Sequence, residues 1–221
     1  MKKIIKKLLN KLSINLTYFL FQDCLMNMKF SFLNFFTQKE CGLIVSDFEL
    51  NKSHIKLSTD HGVERISSYE IDIKYLSEPI KDLIKKKVDT VLKPITGGKV
   101  GMIFGVRYSL DTKSYMSAHH DCNSYSCVIK LNDDYKGGGT YFPLTGEVIN
   151  PKEIGQGVLF KADTIKSYHE AYPITEGVRY VLVVRMEKKN IFHLILKAYF
   201  LDFVDKWIQK RKDKYYKKPL I

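Results

Sequence analysis

The sequence predicts a mainly β domain with flanking helices (α+β), of the sandwich or jelly-roll kind. Three observations carry that expectation. Short runs rich in Val, Ile, Tyr and Phe follow one another between residues 99 and 186, separated by Gly, Asp, Asn and Pro turns. Segments of helical period lie before and after them. The chain has 221 residues, enough for one sizeable core and cramped for two.

Taken in order, the opening MKKIIKKLLNKLSINLTYFLF joins a basic head to an apolar run that Asn15 and Thr17 interrupt. Nowhere do 18 uninterrupted apolar residues occur, so no transmembrane helix is expected. A basic amphipathic helix is favoured over a cleaved signal, because no small-residue cleavage site follows. A short helix is expected from Phe35 to Val45, and an amphipathic one from Glu78 to Leu92 (EPIKDLIKKKVDTVL), closed by Pro94 and Gly97-Gly98. Strands are expected in KVGMIFGVRYSL, SYSCVIKLN, GTYFP, GEVIN, GVLFKA and VRYVLVVRM. Residues 190–210 return to a helical pattern with a wide apolar face, and RKDKYYKK forms a charged tail. The expected organisation is a basic amphipathic N-terminal segment over 1–36, a folded domain over 37–188 with its β core at about 99–186, and an amphipathic helix with a basic tail over 189–221.

The net charge of +12 resides at the two ends. Residues 1–29 carry six Lys and one Asp (+5), and residues 188–221 carry ten Lys or Arg and three Asp (+7). The middle is neutral, with 20 basic and 20 acidic residues. A nucleic-acid track should adjoin the chemistry, so no nucleic-acid partner is expected. Lys85-Lys86-Lys87 reads as the solvated face of the second helix. Peripheral membrane contact through the basic ends is compatible with the flanking Lys and with Phe200, Phe203 and Trp207, but packing of the last helix on the β core is preferred. Cys24, Cys41, Cys122 and Cys127 form no C-x-x-C pair; they allow two disulfides without requiring them. The compartment stays open, with the cytoplasm favoured over the secretory pathway, and the oligomeric state is not legible.

Chemistry concentrates in SAHHDCNSY, residues 117–125. Alternate residues of a strand share a face, so His119 and Asp121 are expected on one side and His120 on the other. A His-x-Asp pair offers an imidazole and a carboxylate to one metal ion, two members of the facial triad of non-haem Fe(II) oxygenases. Alone the pair is a common surface feature. His169 in SYHEAYP, 48 residues after Asp121, is the candidate third ligand. PITEG then predicts a turn, and a hairpin near Ile174–Thr175 would make His169 and Arg179 near cross-strand neighbours. Arg179 lies in an apolar run: facing inward it needs an anion, and facing outward it meets water. Arg185 shares its parity and is expected to escape at the strand end. Tyr108 offers a hydroxyl to the same anion, or is an ordinary half-buried aromatic.

Together these residues resemble a family. FGVRY, HHD eleven residues after the Tyr, VIKLND, GGGTYF, GQGVLF and HEAYPITEGVRY occur in the order found in Fe(II)- and 2-oxoglutarate-dependent dioxygenases. The stretch is similar to the catalytic domains of procollagen lysyl hydroxylases and of prolyl 4-hydroxylases, over about residues 99–186. The resemblance implies a double-stranded β-helix (jelly-roll) core. It implies iron ligands His119, Asp121 and His169, with Arg179 and Tyr108 on the distal carboxylate of 2-oxoglutarate and His120 a bystander. No catalytic group beyond the iron ligands is implied. The implied co-reactants are Fe(II), 2-oxoglutarate, O₂ and L-ascorbate. The implied reaction hydroxylates a prolyl or lysyl side chain of a protein or peptide while 2-oxoglutarate becomes succinate and CO₂. The chain departs from the pattern at Val128, where lysyl hydroxylases have an Asn nine residues after the first ligand; Ser126 is the candidate substitute for that co-substrate contact. It is also too short to hold the glycosyltransferase domains of the animal lysyl hydroxylases. The competing readings are a non-catalytic double-stranded β-helix binding module and a nucleic-acid-directed dioxygenase.

Overall fold

The computed structural model describes residues 28–60, 63–121, 123–187, 206–208, 210 and 212. The expected helix at the N-terminus, most of the one at 190–210 and the charged tail apart from Lys212 lie outside them. Among the described residues no helix is long and apolar enough to cross a membrane.

Among the described residues twelve strands form two sheets: β1 (Phe30–Asn34), β2 (Lys56–Asp60), β3 (Val63–Asp72), β4 (Lys99–Ser109), β5 (Met116–His119), β6 (Tyr125–Lys130), β7 (Tyr135–Gly137), β8 (Thr140–Phe142), β9 (Glu147–Ile149), β10 (Gln156–Lys161), β11 (His169–Ala171) and β12 (Ile174–Glu187). The larger sheet runs β1-β10-β6-β12-β4-β3-β2, with β7 also paired to β12; the smaller runs β5-β11-β8-β9. All pairings are antiparallel. The result is the jelly-roll sandwich with flanking helices that the sequence predicts.

Helices cover the outer face of the larger sheet. The first, α1 (Gln38–Leu50), starts at a capping box: Glu40 N–H donates to the Thr37 hydroxyl, and Thr37 N–H donates to the Glu40 carboxylate. That cap places the start after Phe35 and Phe36, which the sequence reading had put inside the helix; both are buried in the core instead. The second, α2 (Glu78–Lys87), continues through a π turn at Val88–Leu92 into α3 (Lys93–Thr96). Pro94 does not stop it, because Pro sits in the first turn of α3, where its missing N–H is not needed. Gly97, at φ +59°, ends it.

Ile44, Phe48, Ile80, Ile84, Val88 and Leu92 from this layer meet Ile103, Ile129, Leu182 and Val184 of the sheet. The approach at Gly105 is close: a Cβ there would lie 2.3 Å from the Phe48 ring. Cys41 and Cys127 are buried free thiols in the same core.

The domain also begins earlier than expected. β1 pairs along β10 from Phe30 to Asn34, so the last residues of the expected N-terminal segment 1–36 belong to the sheet. The sequence reading also missed β2, β3 and β7, and the larger sheet therefore extends well outside residues 99–186. At the other end, Lys206–Ile208 are helical and Ile208 is buried against Ala118 and Tyr168, behind β5.

Truncating Phe48 removes a fully buried ring wedged on a glycine. Phe48→Ala should cost about 3–5 kcal/mol of folding free energy, read from urea denaturation midpoints at unchanged slope.

Candidate active site

β12 is buried on both faces. Tyr180, Leu182, Val184 and Met186 join the helix-side core, while Arg179, Val181, Val183 and Arg185 line a cavity between the two sheets. The register continues sideways. Tyr108 of β4 lies opposite Arg179, Phe104 opposite Val183, and Ser126 of β6 opposite Arg185. One strand thus supplies half of the core and one wall of the site.

The opposite wall carries His119, at the end of β5, and His169, which pairs with it at the start of β11. Asp121 lies just beyond the end of β5, outside the strand whose alternation was expected to align it with His119. The ligand atoms of His119, Asp121 and His169 lie within 4.8 Å of one another, and all three residues are buried. His119 Nε2 is 3.6 Å from Asp121 Oδ1, and His169 Nε2 is 3.8 Å from Asp121 Oδ2.

Each imidazole is oriented from behind. Nδ1 of His119 is 2.9 Å from the Ser117 carbonyl, and Nδ1 of His169 is 2.7 Å from that of Ser167. A carbonyl only accepts, so Nδ1 carries a proton in both rings and Nε2 is the nitrogen turned toward the carboxylate. Two Nε2 atoms and an anion facing one another make a site for a cation, whether a proton on His119 or a metal ion. Two imidazoles and one carboxylate are the donor set of a non-haem Fe(II) centre with open positions, so these residues fit that metal. The Phe142 and Phe160 rings, 5.7 and 5.2 Å from the His169 ring, give the site an apolar side.

Electrostatics agree with this geometry. Burial pushes the Asp121 carboxyl up, but Arg185 and the two imidazoles outweigh it and hold it well below the usual carboxylate range. Burial also works against a charged His119, yet Asp121 beside it raises that ring's pKa. Burial and the neighbouring His119 pull His169 down to about 4.

His120 faces away. It is buried, its Nε2 lies 2.9 Å from the Ile165 carbonyl, and its ring packs 5.1 Å from that of Tyr168.

Arg179 and Tyr108 line the same cavity. Arg179 is 2% exposed, its Nε has no hydrogen-bond partner, and no acidic side chain pairs with it among the described residues. Its guanidinium lies 5.2 Å from the centre of the Tyr108 ring. Burial pushes the Tyr108 hydroxyl up to about 12, which keeps it a donor. Gly138, at φ +75°, lets the chain pass close by: a Cβ there would lie 3.0 Å from Arg179 Cδ.

Three expectations need correction. β11 and β12 do not form a hairpin: Tyr172 N–H donates to Gly139 O and Ile174 N–H to Ser114 O, so the chain crosses between sheets at Pro173. His169 and Arg179 therefore line one cavity from different sheets. Ser126 does not line the cavity; its hydroxyl donates to Asp121 Oδ2 at 2.5 Å, and Val128 faces the cavity instead. Arg185 does not escape at the strand end. Its Nη2 donates to Asp121 Oδ1 at 2.6 Å. The sequence signal for Arg185 was its shared parity with Arg179, but parity alone names no partner.

Comparisons with known proteins agree. No family model matches the chain. The procollagen lysyl hydroxylase and glycosyltransferase of Acanthamoeba polyphaga mimivirus is 32% identical over 87 residues, which is 38% of this chain and 10% of that protein. The chain thus spans about a tenth of the length of the curated relatives it matches. Among solved structures, a collagen prolyl hydroxylase of Paramecium bursaria Chlorella virus-1 superposes with a TM-score of 0.52 at 16% identity, covering 71% of this chain and 94% of that one. A prolyl hydroxylase of Trichoplax adhaerens, solved with a hypoxia-inducible-factor peptide, gives 0.55 at 15% identity, covering 72% and 83%.

If His119 holds an ion through Nε2 and His120 does not, His119→Ala should abolish Mn(II) binding in titration calorimetry while His120→Ala retains it. A second expectation concerns pH. His119 has a raised pKa in the metal-free site and must lose its proton to bind an ion. Mn(II) uptake should therefore release a proton wherever His119 is still protonated, and affinity should rise with pH until His119 is neutral. Calorimetry in buffers of different ionisation enthalpy measures that release. Over strands arranged as a jelly roll around a His-Asp-His cluster, the chain has the fold of the Fe(II)- and 2-oxoglutarate-dependent oxygenases, and its sequence resembles the procollagen lysyl hydroxylases.

Proposed function

We propose that this chain is an Fe(II)- and 2-oxoglutarate-dependent dioxygenase that hydroxylates a prolyl or lysyl side chain of a protein or peptide. The observation that carries this reading is Arg179: a buried guanidinium with no acidic partner among the described residues, sharing one cavity with three metal-type donors. A lone buried cation is costly, and a dicarboxylate removes that cost while its other end reaches the metal. A non-catalytic module would have no use for both groups in one cavity.

In this reading His119, Asp121 and His169 hold the iron. Arg179 takes the distal carboxylate of 2-oxoglutarate in a forked contact, and the Tyr108 hydroxyl donates to the same carboxylate. Val181, Val183, Val128 and Phe104 line the cavity with apolar surface and restrict water. Bound iron supplies the oxidation, in which 2-oxoglutarate and O₂ become succinate and CO₂ as one oxygen atom enters a substrate C–H bond. L-ascorbate belongs to the proposal as the reductant that restores oxidised iron. The protein or peptide substrate follows from the similarity to hydroxylases of collagen and of a hypoxia-inducible-factor peptide.

Incubation with Fe(II), 2-oxoglutarate, ascorbate and Pro- or Lys-containing peptides should produce succinate and a peptide heavier by one oxygen, read by intact mass. Succinate without an oxidised peptide would reject the substrate class, and no succinate with any peptide would reject the enzyme. For the clamp, Arg179→Ala should leave Mn(II) binding intact and weaken 2-oxoglutarate by about 2–5 kcal/mol, roughly 30- to several-thousand-fold. Arg179→Lys should recover part of that loss, because the charge stays while the fork goes. Titration of 2-oxoglutarate into Mn(II)-loaded protein decides it.

A further inference from the structure

We propose that Arg185 is a resident counter-charge of the metal centre. It holds the Asp121 carboxylate in place before an ion arrives, and it opposes the ion afterwards. The inference rests on His119, Asp121 and His169 being the metal ligands.

Asp121 is supported at both oxygens by groups that face each other across two paired strands. Arg185 of β12 lies opposite Ser126 of β6 in the register. The guanidinium donates to Oδ1 at 2.6 Å, and the Ser126 hydroxyl donates to Oδ2 at 2.5 Å. The Asn123 amide donates to Ser126 Oγ at 3.1 Å, which fixes the hydroxyl in turn. On its other side the Arg185 guanidinium lies 5.2 Å from the centre of the Phe104 ring. The carboxylate is therefore oriented with no ion present, and its side chain is 4% exposed.

The two supports differ in charge, and that difference has consequences. A buried carboxylate needs a compensating partner, and in the metal-free site the guanidinium supplies a full positive charge. A divalent ion held by His119, Asp121 and His169 would bring a second positive charge to the same carboxylate. Two cations then share one anion and repel each other. Ser126 orients the carboxylate without opposing the ion. Replacing the two residues should thus move metal affinity in opposite directions, which a purely structural role would not do. Because coupling is reciprocal, the ion should also stabilise the fold more when Arg185 is absent. Arg185 is in this sense a positioning residue that keeps the empty site assembled and the metal exchangeable.

The test uses the full chain, stripped of metal with a chelator, and Mn(II) as the probe. Arg185→Gln should lower the metal-free Tm by several degrees, roughly. It should bind Mn(II) about 5- to 150-fold more tightly in titration calorimetry and gain more Tm from Mn(II) than the wild type does. Arg185→Lys keeps the charge and should stay near wild-type affinity. Ser126→Ala should bind Mn(II) about 10–100-fold more weakly. If Arg185→Gln is unfolded without metal, Mn(II) should fold it, and failure to fold at saturating Mn(II) overturns the proposal. Weaker or unchanged Mn(II) binding by folded Arg185→Gln also overturns it, leaving the metal site standing. A wild-type chain that binds no Mn(II), or His119→Ala that binds it normally, would instead remove the metal site itself.

Discussion

A carboxylate buried between two sheets is the constraint around which this molecule is arranged. Asp121 loses nearly all contact with water, so its charge has to be met by the protein or by an ion. It is met from both sheets. Arg185 and Ser126 approach from the larger sheet, and His119 and His169 approach from the smaller one. Both sheets must close in the correct register for these groups to converge. Folding of the sandwich and assembly of the site are therefore one event.

β12 connects that site to the rest of the fold. Its period of two sends one set of side chains to the helices and the other to the cavity, and its neighbours β4 and β6 repeat the division. The helix layer holds the larger sheet from outside, with Phe48 seated on Gly105. A rigid outer core allows the inner face to carry charged groups that no apolar contact favours. Arg179 and Arg185 occupy that inner face six positions apart, Arg185 paired with Asp121 and Arg179 in no ion pair among the described residues. The second of these states is the one on which the proposed 2-oxoglutarate contact rests.

Much of this was legible in the residues. The strands from 99 to 186 stand out through β-branched and aromatic runs between turn residues, because local chemistry and the sheet agree there. β2 and β3 were missed because KLSTD and VERISSYEID carry polar residues at most positions, and a strand that pairs at a sheet margin needs no continuous apolar run. β1 was missed for a different reason. FSFLN was read together with the basic segment before it, and only its pairing with β10 assigns it to the sheet. The start of α1 was legible in principle, since Thr37 and Glu40 form a capping box that the reading passed over.

The sequence by itself determined the residue types and their order: His-x-Asp, a distant His, and an Arg ten residues further in an apolar run. Those are local facts; the strand alternation expected to set His120 apart from His119 and Asp121 is not, because β5 ends at His119. Only the tertiary structure decided who meets whom. It sent β11 and β12 to different sheets, moved Ser126 from the co-substrate to the back of Asp121, and turned Arg185 inward instead of out. The physical reason is that a charge pair such as Arg185–Asp121 joins residues 64 positions apart, across strands whose register is set by packing on both faces. No local pattern encodes that distance. It exists only once the sheets have closed.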